Sequence, residues 1–251
     1  EPDLRATVYV QDLNGGQVLP GDILEYTMVG KNIGSDVSDS TYMVDTLDLR
    51  MSYIPGSISY LNGVVAGAKT DVSGDDQAEY DAITHLIRAR VGTGANGLIG
   101  GSMSNSPNGS DSTAVRFRVQ VLNDCLLLNC DSTIGNKAYI FGVGNISGNL
   151  NTNNGVSDFY DANGCPTSNN NELTIHSNCP PPNVTHNDPL CLGDSLQFAI
   201  PFSPFANYSW VGPSGFSSTS PAPVISPVAA NNAGVYQLNI TFNGSTCTFF
   251  N

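Results

Sequence analysis

Apolar and polar residues alternate with a period of two along residues 23–32. Leu24, Tyr26, Met28, Gly30 and Asn32 fall on one face, and Glu25, Thr27, Val29 and Lys31 on the other. This pattern predicts a half-buried strand with one wet face. Turn sequences bracket it, Pro20-Gly21-Asp22 before and Asn32-Ile33-Gly34 after. The same grammar recurs along the chain. Residues 4–12 predict a first strand and residues 42–47 a third, while 51–55 leads into 56–61 and an Asn62-Gly63 hairpin turn. Further on, Val115, Phe117, Val119 and Val121 share a face, as do Ile134, Asn136, Ala138 and Ile140, and residues 173–175 predict one more strand. Short strands separated by polar turns predict an all-β chain.

Residues 145–171 are rich in Asn, Gly and Ser and read as long loops. The run Cys179-Pro180-Pro181-Pro182-Asn183 favours a semi-rigid extended spacer. It divides the chain into an expected first domain, 1–179, and a second, 183–251. Composition changes across it, since residues 183–251 hold no Lys or Arg and only two acids, Asp188 and Asp194. Trp210, the sole Trp, is expected in the core of the second domain's third strand.

The 251 residues carry 9 Lys and Arg against 22 Asp and Glu, a net charge of -13. Such a surface repels nucleic acid and anionic lipid headgroups and favours cations. Charged residues make up only 12% while apolar residues reach 40%, a profile that fits an extracellular β-protein and excludes disorder. No apolar run is long enough to span a membrane, so no direct membrane insertion is expected. A chain opening on Glu1 reads as a piece of a longer protein. The six cysteines, Cys125, Cys130, Cys165, Cys179, Cys191 and Cys247, are even in number and predict disulfides formed in an oxidising compartment. Several pairings stay open. Pairing of neighbours, Cys125–Cys130, Cys165–Cys179 and Cys191–Cys247, is the expectation; zinc is disfavoured because no CxxC or His spacing suits it.

Gly21, Asp22, Tyr26, Asn32 and Gly34, then Asp45-Thr46-Leu47, then Tyr53, Pro55, Gly56 and Ser57 form a sequence of motifs. Together they resemble the domain-of-unknown-function-eleven family, the conserved repeat domains of bacterial surface proteins. Residues 74–81, 91–95, Gly100-Gly101 and 115–119 are similar to the version found in Bacteroidota surface proteins. The likeness covers roughly residues 4–150. It implies an immunoglobulin-like β-sandwich, repeated along a stalk or adhesin, and no enzymatic activity. Residues 191–247 resemble the small immunoglobulin-like repeats of large Bacteroidota adhesins, with Gly234-Val235-Tyr236 similar to a tyrosine corner and Leu238 in place of a cysteine. The fold class expected is thus all-β, two tandem immunoglobulin-like β-sandwiches. Secretion by the type IX route, gliding motility or attachment, and an extracellular cell-surface location follow from the resemblance.

Candidate chemistry is sparse. Asp71, Asp75, Asp76 and Asp81, with Glu79 among them, crowd hard oxygen ligands onto a Gly-containing loop and are the candidate calcium site, though the spacing is not that of an EF-hand. Asp158, Asp161 and Asn163 form a weaker group. His85, His176 and His186 are scattered, no G-x-S-x-G elbow accompanies them, and no enzyme is expected. The glycines of residues 92–97 lack the Lys and helix of a phosphate loop and read as turn residues. By alternation Lys31 and Lys137 point away from the core, against an isopeptide cross-link. Asp-Ser/Thr triplets resemble the Bacteroidota O-glycosylation sequon and imply sugar on Ser40, Thr46, Ser112, Ser132 or Ser195.

The function expected is a non-enzymatic structural or adhesive module of a secreted bacterial surface protein. Its partners would be neighbouring domains of the same chain, identical subunits or surface glycans. Two alternatives stand beside it. A filament subunit would donate a strand to its neighbour; a carbohydrate-binding module would present a row of aromatics, for which Tyr60, Tyr139, Phe159 and Tyr160 are the candidates.

Overall fold

The computed structural model describes residues 1–63, 66–105, 112–146, 150–151, 159–160, 166–167, 172–242 and 245–250. Its chain falls into two compact units, one of residues 1–122 and 133–174, the other of residues 123–132 and 175–251. Both are immunoglobulin-like β-sandwiches, and the described residues are all-β apart from a six-residue helix and two single 3-10 turns.

In the first unit the strands are β1 (Leu4–Asp12), β2 (Ile23–Asn32), β3 (Ser38–Thr46), β4 (Met51–Tyr53), β5 (Ser59–Tyr60), β6 (Gly67–Ala68), β7 (Ala78–Asp81), β8 (Leu86–Arg90), β9 (Gly101–Met103) and β10 (Ser112–Val121). After the helix α1 (Cys125–Cys130) come β11 (Thr133–Ile134), β12 (Ala138–Gly144), β13 (Leu150–Asn151), β14 (Phe159–Tyr160), β15 (Pro166–Thr167) and β16 (Leu173–Thr174). One sheet runs β1-β2-β10-β5-β6, with β4 also on β10; the other runs β13-β12-β3-β8-β7, with β9 also on β3.

β2 lies inside the first sheet, antiparallel to β1 and β10 on its two sides, with Tyr26 opposite Phe117 and Met28 opposite both Val8 and Val115. Its burial alternates strictly, residue by residue, as the period-two pattern requires. Leu24, Tyr26, Met28, Phe117 and Val119 meet Met43, Ile87, Ala138 and Ile140 of the second sheet in one buried core. The sheets pack closely at Gly30, where a Cβ would stand 2.8 Å from the Ile140 side chain and 2.9 Å from the Met43 sulfur. A side chain larger than hydrogen there would push the layers apart.

The strands of the second unit are β17 (Thr185–His186), β18 (Leu196–Ala199), β19 (Asn207–Val211), β20 (Ser217–Ser218), β21 (Val224–Ile225), β22 (Gln237–Phe242) and β23 (Ser245–Phe250). They form a β17-β18-β21 sheet and a β20-β19-β22-β23 sheet. Trp210, Phe198, Tyr208, Tyr236, Leu238, Ile240 and Phe242 make its core. Trp210 sits opposite Leu238 and donates its indole N–H to the Ser220 carbonyl at 2.9 Å. Tyr236 donates its hydroxyl to the Asn232 carbonyl at 2.7 Å, four residues upstream, which is the bond of a tyrosine corner.

Two expectations change here. Residues 123–132, placed in the first domain by the sequence, group with the second unit, because Leu126 and Leu127 of α1 join its core. The disulfide pairing is also different. Cys125 is bonded to Cys179 and Cys130 to Cys247, so neither Cys125–Cys130, Cys165–Cys179 nor Cys191–Cys247 forms. The reason is α1 itself: five steps of about 100° point its two cysteines to different sides, where they cannot reach each other. Cys191 is exposed and has no disulfide partner among the described residues, and Cys165 lies outside them.

Candidate functional site

The acidic loop between β6 and β7 is built from local hydrogen bonds. Asp71 accepts from the Tyr53 hydroxyl and from the Gly56 amide at 2.7 Å, tying the loop to the β4–β5 turn. Asp75 accepts from the Thr70 hydroxyl at 2.7 Å, and Asp76 from the Thr70 and Ala78 amides at 2.8 and 2.9 Å. Asp81 sits past the loop and accepts from the Ile83 amide and the Thr84 hydroxyl, both at 2.8 Å; the Thr84 bond leads in holding its carboxyl below the usual range. The candidate calcium ligands are therefore each engaged by nearby protein donors, Asp75 and Asp76 both through Thr70. Among the described residues no group of three or more His, Cys, Asp and Glu is arranged to hold a metal. The weaker trio Asp158, Asp161 and Asn163 lies outside the described residues.

Glu79 does something else. It accepts from Ser73 and from two guanidinium groups, Arg88 at 2.8 Å and Arg90 at 3.0 Å. Burial opposes its ionisation, but Ser73, Arg90 and Arg88 together hold the carboxyl below its ordinary value.

A second polar group is sealed in the first unit's core. Asp45 on β3 is fully buried and accepts one bond, from the Asn136 amide at 2.9 Å, leaving its other oxygen and the Asn136 carbonyl without partners among the described residues. Burial pushes its carboxyl up to about 8, against the opposing pull of Asn136. The Tyr26 hydroxyl, also buried and unpaired among the described residues, has its pKa raised by burial and then by the Asp45 and Asp48 charges.

In the second unit, a cavity of about 360 Å³ is lined by His186, Asp188, Cys191, Phe198 and Tyr236 among others. His186 pairs with Asp188 through Nδ1 at 2.8 Å. Their spacing in the sequence, two positions apart, is the signal that would have found the pair; Phe198 and Tyr236 read simply as core.

The glycosylation candidates are all accessible at the surface. Ser40, at a β3 irregularity with φ of 54°, and Thr46 are exposed; Ser112, Ser132 and Ser195 are half-buried. Of the aromatic row, Tyr60 is 2% exposed and points into the core, so it presents no platform. Tyr139 is half-buried, and the side chains of Phe159 and Tyr160 lie outside the described residues.

No family model matches the chain, and comparison with curated proteins gives no match. Among solved structures it is similar to the collagen binding domain of Erysipelothrix rhusiopathiae surface protein RspB, at 9% identity and a TM-score of 0.35 over 59% of this chain. It spans 42% of that structure's chain. It is similar to the full-length major pilin SpaD from Corynebacterium diphtheriae at 9% identity and a TM-score of 0.35, over 98% of this chain and 61% of that one. A third likeness, at 11% identity and a TM-score of 0.30 over 55% of this chain and 75% of the other, is to AvmM, which catalyses macrocyclization in alchivemycin A biosynthesis. At these scores none carries an argument about activity.

Proposed function

We propose that this chain is a non-enzymatic structural and adhesive module of a secreted bacterial cell-surface protein, of the conserved-repeat kind that its motifs resemble. The observation that carries the reading is the pair of disulfides in the second unit. They fasten α1 to the segment just before the prolines through Cys179 and to β23 through Cys247. Such bonds persist in an oxidising compartment, and they suit a module that must keep its strands registered outside the cell. Its partners are neighbouring domains or identical subunits, with surface glycans as the target of attachment.

The test is a non-reducing peptide map of the protein from its native source. Linked peptides joining Cys125 to Cys179 and Cys130 to Cys247 are expected, with sugar mass on one or more peptides carrying Ser40, Thr46, Ser112, Ser132 or Ser195. Free thiols at all four bonded cysteines would overturn the extracellular assignment and with it the proposed role.

A further inference from the structure

Arg88 and Arg90 are two positions apart on β8, so both project from the face opposite Ile87 and Ala89, which are in the core. Tyr42 on β3 lies opposite Arg90 in register, and the Arg88 guanidinium stands over its ring at 5.9 Å. An arginine on the outer face of a sheet is ordinarily solvated. Arg90 is only 7% exposed.

The β8–β9 loop accounts for this. It is fixed to its own ends by backbone bonds from Gly101 to Val91 and between Thr93 and Ser102. Gly100 presses its backbone on Ser40 and Thr41, so that a Cβ there would lie 2.2 Å from the Thr41 carbonyl oxygen. A cavity of about 240 Å³ is left, bounded by Ser40, Tyr42, Arg88, Arg90, Leu98, Ile99 and Gly100.

The charges in its wall do not balance. Arg90 Nη2 and Arg88 Nη1 donate to the same Glu79 oxygen, at 3.0 and 2.8 Å, so one carboxylate answers two guanidinium groups. Arg90 Nη1 is buried and has no hydrogen-bond partner among the described residues. A charged donor held out of water without an acceptor is costly, and a carboxylate is the acceptor whose shape matches a guanidinium fork. Beside this polar wall, Leu98 and Ile99 are 79% and 58% exposed.

We propose that this cavity binds an acidic sugar, with its carboxylate on the Arg88–Arg90 pair and its ring against Leu98 and Ile99. The volume admits one ring, being smaller than a drug-sized pocket of about 300–1,000 Å³. The exposed Ser40 hydroxyl offers a further polar contact for ring hydroxyls. A local excess of positive charge draws an anion in even though the chain as a whole is at -13. The assignment stands on this cavity alone and holds whether or not the chain is an adhesin.

The full chain, labelled with ¹⁵N, is titrated with sodium glucuronate and with glucose at constant ionic strength. Glucuronate is expected to give saturable shifts at the Tyr42, Arg88, Arg90 and Gly100 amides with a Kd on the order of 1 mM, and glucose none. Arg88→Gln keeps the Arg90–Glu79 pair and is expected to weaken binding about tenfold. Leu98→Asp, at an exposed position that leaves the core untouched, sets a negative charge on the rim and is expected to abolish binding. Equal responses to glucose and glucuronate, no response to either, or glucuronate shifts that survive both substitutions would overturn the site. Shifts with N-acetylaspartate N-methylamide and none with glucuronate would overturn the sugar in favour of an acidic peptide.

Discussion

Asp45 is a carboxyl without solvent exposure and, among the described residues, with one hydrogen bond to hold its charge. Its proton therefore stays on in the folded state up to a pH of about 8, whereas in the unfolded chain it leaves near the ordinary value of 3.8. The sign follows from proton counts. Between those two values the folded protein binds the extra proton, so stability falls as pH rises through the window and is flat below and above it. Asp45→Asn keeps the shape, supplies a permanent donor beside the unpaired Asn136 carbonyl and cannot ionise. Urea unfolding of both proteins at pH 5 and pH 8 checks this. The variant is expected to gain about 2–4 kcal/mol on the wild type between the two pH values, and equal slopes would show that Asp45 is already ionised in the fold.

At the scale of elements, α1 is the part that strand-period reasoning could not see. Cys125-Leu126-Leu127-Leu128-Asn129-Cys130 has neither alternation nor a long helical stripe. What makes it helical is local: Asp124 caps it, accepting from the Leu126 and Leu127 amides at 3.1 Å. Packing of Leu126 and Leu127 into the second core then holds it. Leu127→Ala is expected to cost about 2–5 kcal/mol and Asp124→Ala about 1 kcal/mol, both read from denaturant unfolding of the second unit alone. A matching loss in the first unit would contradict the assignment of α1. By contrast β2 and β10 were legible, because one buried sheet face writes itself into the sequence as a period of two; the expected 134–141 strand is split, with Ile134 on β11 and Ala138 and Ile140 on β12 of another sheet, although all keep the alternating burial. Trp210 and the Tyr236 corner were legible for a related reason, each being a bulky residue with one polar atom to satisfy. The Glu79–Arg88–Arg90 cluster was not: it is assembled by register between β7 and β8, and a strand pairing leaves no mark in spacing. For the acidic loop, proximity in sequence shows the carboxylates but not their hydrogen-bond partners, which come from the β4–β5 turn for Asp71 and from Thr70 for Asp75 and Asp76.

On the scale of the molecule, the bonded cysteines are distributed unevenly. Both described disulfides lie within the second unit, closing sequence separations of 54 and 117 residues. Loop-closure entropy assigns them about 4 and about 5 kcal/mol, less than additive because the loops overlap. The first unit owes its stability to sheet packing around β2 and holds no disulfide among its described residues. Reduction should therefore act on one unit and spare the other. Trp210, the sole Trp, belongs to the second unit, so indole fluorescence follows that unit alone while calorimetry follows both. With a phosphine reductant present, the fluorescence transition is expected to fall by at least about 10 °C. A second calorimetric transition should keep its midpoint. If the fluorescence midpoint does not move, the bonds contribute nothing to the fold. If both transitions fall together, the two units do not unfold separately and the disulfides stabilise the chain as a whole.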